Sequence, residues 1–200
     1  MSDTTGTTDS TAEEELEGAN VSPDVPEGEP TDESGPPDED ETRGVPGRLS
    51  PRGAEFVSRF EGCVLHLYND PTNNATIGIG HLVHMGPING TEPAEFRKGI
   101  TRQRALELLQ QDARGAASAV SRLISVPLQQ HELDALISFT FNCGEGSLQT
   151  STLRRRLNAG DRAGVPEELR KWVLSAGRKL PGLVRRRDAE GALFSHGKYA

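Results

Sequence analysis

The sequence predicts an α+β protein: a small antiparallel sheet lobe joined by one long helix to a mostly helical lobe. Three observations predict it. Apolar residues recur at spacings of three and four over residues 101–125 and in several stretches beyond 129. Between residues 63 and 83, glycines and β-branched residues alternate beside a cluster of turn formers. All six Phe, both Tyr and the single Trp lie at or beyond Phe56.

The last observation divides the chain. Residues 1–49 hold no aromatic residue and are rich in Asp, Glu, Thr, Ser, Pro and Gly. Such a segment buries too little apolar surface to offset its ordering entropy, and it reads as a disordered acidic arm. Residues 50–200 are long enough for a core of their own. Charge divides at the same place. The arm carries 15 acids and two bases, −13, against 15 acids and 20 bases, +5, in the rest. A basic body suits an anionic polymer: nucleic acid, a membrane surface or a cell wall. Ordinary solubilising charge accounts for it equally well.

Order begins at Ser50-Pro51, an N-cap followed by Pro at the first helical position. Ala54, Phe56, Val57 and Phe60 give the helix an apolar face. Gly62 stops it, so Glu61 is read as its last residue. A small antiparallel sheet follows, with Asn69-Asp70-Pro71-Thr72-Asn73-Asn74 as the turn between two of its strands. Residues 84–100, with Gly86, Pro87, Gly90 and Pro93, read as a loop with one short helical turn around 93–98. Thr101 caps the long helix, in which Gly115 costs roughly 1 kcal/mol against Ala. Pro127 follows its end. Further helices are expected at about 129–142, 148–158, 161–175 and 182–194.

Cys63 and Cys143 are 80 residues apart and lack metal-binding spacing, so two free thiols and no metal site are expected. The N-terminus lacks the basic and apolar parts of a secretory signal, and no stretch approaches the roughly 18 apolar residues of a membrane span. A cytoplasmic chain that does not insert in a membrane is expected.

Two carboxylates stand out. At a helix end, Glu61 faces the partial negative charge of the last carbonyls, and Phe60 adds desolvation. Both disfavour the ionised form, which suits a general acid. Asp70, nine residues on, sits in a polar turn rich in N–H donors and is expected to stay ionised. Carboxylates with opposed environments are the acid/base pair of glycoside hydrolysis. A solvated glutamate and an Asx turn would leave the same trace. Thr76 starts the next strand, where its hydroxyl can hold a water against Asp70. Gly78 and Gly80 would let the backbone approach a flat ligand closely. His81 is read as structural, with Asp112 on the long helix as its partner.

Phe60-Glu61-Gly62, Tyr68-x-Asp70 and Thr76-Ile77-Gly78-Ile79-Gly80-His81 together resemble the signature of the phage-type lysozymes, glycoside hydrolase family 24. The likeness extends through Ala135-Leu136-x-Ser138-Phe139-x-Phe141-Asn142-x-Gly144, Ser151-Thr152-Leu153, Leu157-Asn158-x-Gly160-Asp161, Trp172 and Pro181-Gly182-Leu183-x-x-Arg186-Arg187-x-x-Glu190. It covers about 145 of the 200 residues. The resemblance implies a lysozyme-like fold and an endolysin that cuts the β-1,4 bond between N-acetylmuramic acid and N-acetylglucosamine in peptidoglycan glycan strands. It implies no cofactor, no nucleic acid partner, a monomer, and release from the host cytoplasm to the wall by a holin. By position, Glu61 is the general acid, Asp70 the base or electrostatic partner, and Thr76 the residue that orients water. The same likeness pairs His81 with Asp112 and puts Leu82, Phe141, Asn142 and Thr152 in the cleft, where core packing is the alternative. A secreted effector with the same chemistry, a non-catalytic wall-binding module and a lytic transglycosylase are the competing readings. The intact Glu61, Asp70 and Thr76 argue against a non-catalytic module, and Asp70 and Thr76 at the family spacing argue against a transglycosylase, which needs only one acid. The acidic arm lies outside the resemblance, and the 84–100 loop looks longer than in the smallest members.

Overall fold

The computed structural model describes residues 47–199. The acidic arm lies outside the described residues, except for Gly47, Arg48 and Leu49. Leu49 is buried in the main core, so the packed body reaches back past Ser50.

Helix α1 spans Pro51–Ser58. Ser50 caps it as expected: its Oγ accepts from the Gly53 N–H at 2.9 Å. The cap is itself fixed from the core. The buried Asp134 carboxylate accepts from the Ser50 N–H and hydroxyl and from the Tyr199 hydroxyl. α1 ends earlier than the sequence suggests. Its last helical residue is Ser58, and Glu61 lies three residues beyond it. The helix-end field invoked for Glu61 therefore acts from farther away than expected.

The sheet has the order β1-β2-β3, all antiparallel: β1 Val64–Asn69, β2 Ala75–Gly78 and β3 His81–His84. Tyr68 pairs with Thr76, and Thr76 with Leu82. A register shift between Val64 and Tyr68 bulges β1. Gly78 has a φ of +68°, and a Cβ there would meet Ala105 and Ile100 at 3.3 Å. A side chain there would therefore crowd the segment 100–105. Gly80 faces open space.

The loop after β3 carries α2, Ala94–Arg97. The expected long helix forms in two pieces, α3 Arg102–Asp112 and α4 Arg114–Leu123. Thr101 caps the first. The interruption falls at Ala113, two residues before Gly115. Hydrogen bonds still run from Ala113 to Leu109 and from Ala117 to Ala113, and Ala113 keeps right-handed dihedrals, so the break is confined to that residue.

The helical lobe is built on α5, Gln130–Cys143, which is buried from Glu132 through Thr140. A helix covered on all sides carries apolar residues all round. Its polar exceptions are bonded: Glu132 to the Gln129 N–H and to Arg162, Asp134 as above, Ser138 to Glu190, and Thr140 to the Leu136 carbonyl. The expected 148–158 helix divides into α6 Glu145–Thr150 and α7 Thr152–Asn158, because Ser151 turns extended and caps α7. The expected 161–175 helix shrinks to α8, Val165–Leu169. Asp161 instead binds Arg156 and the Gly164 N–H, which fixes a turn ahead of α8. A hairpin follows, β4 Leu174–Ser175 and β5 Arg178–Lys179. Ala176 and Gly177 both have positive φ, the signature of a tight hairpin turn. Helix α9, Pro181–His196, packs on α5 and α8 and ends at left-handed Gly197.

Candidate active site

Glu61 lies in the turn between α1 and β1. Phe56 and Phe60 meet edge to face at 5.3 Å and hold that turn against the core. The Glu61 side chain is about one-third exposed, and its Oε1 accepts from Arg186 Nη1 at 2.6 Å. No hydrogen bond to Oε2 is found among the described residues. Arg186 is almost wholly buried. Its Nε donates to Glu190 Oε1 at 3.1 Å, Nη2 reaches the Ser138 carbonyl at 3.3 Å, and its guanidinium lies over the Phe60 ring. Glu190 is fully buried. It binds Arg187 through Oε2 at 2.6 Å and the Ser138 hydroxyl through Oε1 at 2.7 Å. Burial pushes its carboxyl up, against the pull of Arg187 and Arg186. Arg187 also donates to Asn142 Oδ1. Glu190 is shared between Arg186 and Arg187, so Glu61 is not the only counter-ion of Arg186.

A groove of about 590 Å³ opens over this cluster, within the usual range for ligand clefts. Glu61 and Arg186 line it with Arg59, Asn142, Leu180 and Arg185.

Asp70 follows β1 directly. The bonds its carboxylate accepts all fall on one oxygen: the N–H and hydroxyl of Thr72 and the N–H of Asn74 each meet Oδ1 at 2.9 Å. These donors, the Asn74 N–H first, hold the carboxyl below the ordinary carboxylate range. Oδ2 is left without a donor among the described residues. Asn73 supplies the left-handed corner of the turn, at a φ of +63°. Thr76 is buried in β2 and gives its hydroxyl proton to the Asn74 carbonyl at 3.1 Å. Its oxygen keeps its acceptor capacity.

His81 Nδ1 stands 3.0 Å from both oxygens of Asp112, the last residue of α3, and so ties the sheet to that helix. Of the four residues expected in the cleft, Asn142 lines the Glu61 groove. Phe141 lines a separate hollow with Ala116, Thr140 and Glu145. Leu82 is nearly half exposed on β3. Thr152 begins α7, exposed, and accepts from Arg155. Leu82 and Thr152 line neither hollow.

The family model for phage lysozyme matches residues 58–190. The chain belongs to the phage lysozyme family. It is 35% identical over 150 residues to the endolysin of Acyrthosiphon pisum secondary endosymbiont phage 1, covering 73% of this chain and 97% of that one. It is also 35% identical over 152 residues to the endolysin of Bacillus phage B103, of which it spans only 55%. Among solved structures, the endolysin from Escherichia coli O157:H7 phage FAHEc1 superposes with a TM-score of 0.63 at 32% identity, covering 76% of this chain and 96% of that one. As a phage lysozyme the chain is a glycosidase, and a muramidase of the endolysin type.

For a phage lysozyme, the feature that sequence reasoning missed is the buried charge cluster under Glu61. In the sequence the motif Arg186-Arg187-x-x-Glu190 stands out only as part of the family likeness. Its signal was present: Leu193 and Phe194 on the same helix are buried, so charges at spacings of three and four on that face are forced to pair.

Proposed function

We propose that this chain hydrolyses the β-1,4 bond between N-acetylmuramic acid and N-acetylglucosamine, with inversion at the anomeric carbon. The catalytic domain in this reading is residues 50–200, packed onto Leu49. The observation that carries it is the pair of half-used carboxyls. Glu61 is anchored through Oε1 and Asp70 through Oδ1, and each keeps one oxygen for chemistry.

Glu61 gives its proton from Oε2 to the glycosidic oxygen as the bond from that oxygen to the anomeric carbon breaks. A water bonds to the opposite face of the same carbon and passes a proton to Asp70 Oδ2. Thr76 accepts a hydrogen bond from that water. Inversion needs room for the water, which corresponds to carboxyls roughly 6.5–9.5 Å apart. In this reading the enzyme works as a monomer and reaches the wall after a holin opens the membrane. Among the described residues, no helix is long and apolar enough to cross a membrane.

The test is Glu61→Gln, which keeps an acceptor for Arg186 and removes the acid. It is expected nearly to abolish release of reducing ends from purified peptidoglycan while the far-UV spectrum stays unchanged. Substantial activity in the folded variant overturns the assignment. Products lacking anhydro-muropeptides separate hydrolysis from transglycosylation.

A further inference from the structure

Asn74 uses every polar group it has. Its backbone N–H donates to Asp70 Oδ1 at 2.9 Å, and its carbonyl accepts from the Asp70 N–H at 3.0 Å and from the Thr76 hydroxyl at 3.1 Å. Its side-chain Nδ2 donates to the Thr72 hydroxyl at 2.7 Å. Both residues proposed to handle the water, Asp70 and Thr76, are therefore bonded directly to Asn74.

Those four bonds stay within residues 70–76. The fifth leaves it: Asn74 Oδ1 accepts from the Gly86 N–H at 2.9 Å. Two more bonds stitch the same loop to the ends of the Asp70 turn. The Gly86 carbonyl accepts from the Ala75 N–H at 2.8 Å, and the Ile88 N–H donates to Asn69 Oδ1 at 2.9 Å. The loop is also tied internally. The buried Glu92 carboxylate accepts from the Asn89 and Gly90 N–H groups at 2.7 and 3.0 Å and meets His84 Nε2 at 3.2 Å. The other ring nitrogen of His84 meets the Met85 carbonyl at 2.9 Å. Bonds within a surface turn exchange readily with water, so the turn alone has little to hold its carboxylate in one direction. A braced loop behind it does.

We infer that Asn74 is a positioning residue for Asp70 and Thr76, and that the loop from Met85 to Glu92 braces it through the Asn74 side chain. The inference rests on the catalytic role proposed for Asp70. A catalytic group displaced by about 1 Å can lose up to two orders of magnitude in rate.

The experiment compares Asn74→Ala, His84→Gln and Asp70→Asn in the full chain, with kcat, KM and the pH profile measured on purified peptidoglycan. Asn74→Ala keeps the backbone donor to Asp70 but cuts the tie to Gly86. Its kcat is expected to fall by about tenfold with little change in KM. The acid limb of its profile is expected to move to higher pH, because Asp70 is held less firmly by its donors. His84→Gln alters the brace from outside the turn, and is expected to move kcat and the limb the same way by less. A merely structural role would lower the melting temperature and leave kcat and the acid limb at 25 °C unmoved. That outcome in a folded Asn74→Ala, or in His84→Gln where Asn74→Ala does not fold, overturns the inference if Asp70→Asn is inactive. An active Asp70→Asn overturns the role of Asp70, and the positioning claim with it.

Discussion

Arg186 Nη1 lies 2.6 Å from Glu61 Oε1, so a buried guanidinium on the last helix fixes the carboxyl that follows the first. The contact links α9 to the α1–β1 turn across 125 residues of sequence. Arg186→Ala would release Glu61 and leave the buried Glu190 with one guanidinium in place of two. Removing one partner of a buried ion pair costs about 3 kcal/mol or more. Arg186→Lys keeps the charge but, as a point donor, cannot serve Glu61, Glu190 and the Ser138 carbonyl from one plane. Both variants are expected to lose most of their turnover, and Arg186→Ala to unfold at clearly lower urea. Full turnover in a folded Arg186→Lys would contradict the positioning role.

The contrast between Asp70 and Arg186 shows which features the sequence makes legible. Asp70 was readable because its environment is local: the turn formers at 71–74 that fix its hydrogen bonds are its neighbours in sequence. The Ser50 cap and the β1–β3 hairpins were legible for the same reason. The partner of Glu61 comes from a remote helix, and no local pattern encodes it. The helix divisions at Ala113 and Ser151 and the β4–β5 hairpin were missed on similar grounds. Leu174-Ser175-Ala176-Gly177-Arg178-Lys179 lacks the Asn-Gly or Asp-Gly that marks such a turn, and periodicity alone runs across Ser151 without a break.

The environment of Asp70 predicts the acid side of the pH profile. Its folded carboxyl is depressed by the Asn74 and Thr72 donors. A depressed carboxylate contributes stability above its unfolded value, about 3.9, and that contribution is lost as pH falls through the folded value. Activity is expected to persist to the same low limit. Thr72→Val removes the hydroxyl donor to Oδ1 and so raises the Asp70 carboxyl. The acid limb of kcat is expected to shift upward in pH with the alkaline limb unmoved. A superimposable acid limb would show that Asp70 does not set it.

Glu92 gives a second pH signature, read in stability rather than rate. The Asn89 N–H and other backbone donors hold its carboxyl at about 2. Its contribution is present above about 4.3, the unfolded value, and fades as pH falls toward 2. His84 has the opposite sign. The Met85 carbonyl and then Glu92 raise it, so its contribution is whole below about 6.5 and lost as pH rises through its higher folded value. The stability gap between the wild type and Glu92→Gln, from urea titrations, is expected to be widest near pH 5–6 and to narrow in both directions. A gap that does not vary with pH would mean that ionisation of this pair plays no part in holding the loop.

The acidic arm makes its own prediction through net charge. The whole chain carries −8, whereas residues 50–200 carry +5. An anionic wall strand at long range responds to the sum of charges, and the range over which it does so is set by salt: about 30 Å at 0.01 M and about 8 Å at 0.15 M. Removing residues 1–46 takes away all 15 acids of the arm, leaves 15 acids and 21 bases, and keeps the buried Leu49 in place. Binding to purified wall is expected to strengthen in the truncated chain at low salt, chiefly through faster association, and the difference is expected to shrink as salt is added. A co-sedimentation series in rising NaCl measures both. Equal affinities at the lowest salt would mean that the arm does not modulate wall binding through its charge. A difference that persists at high salt would point instead to a contact not governed by net charge.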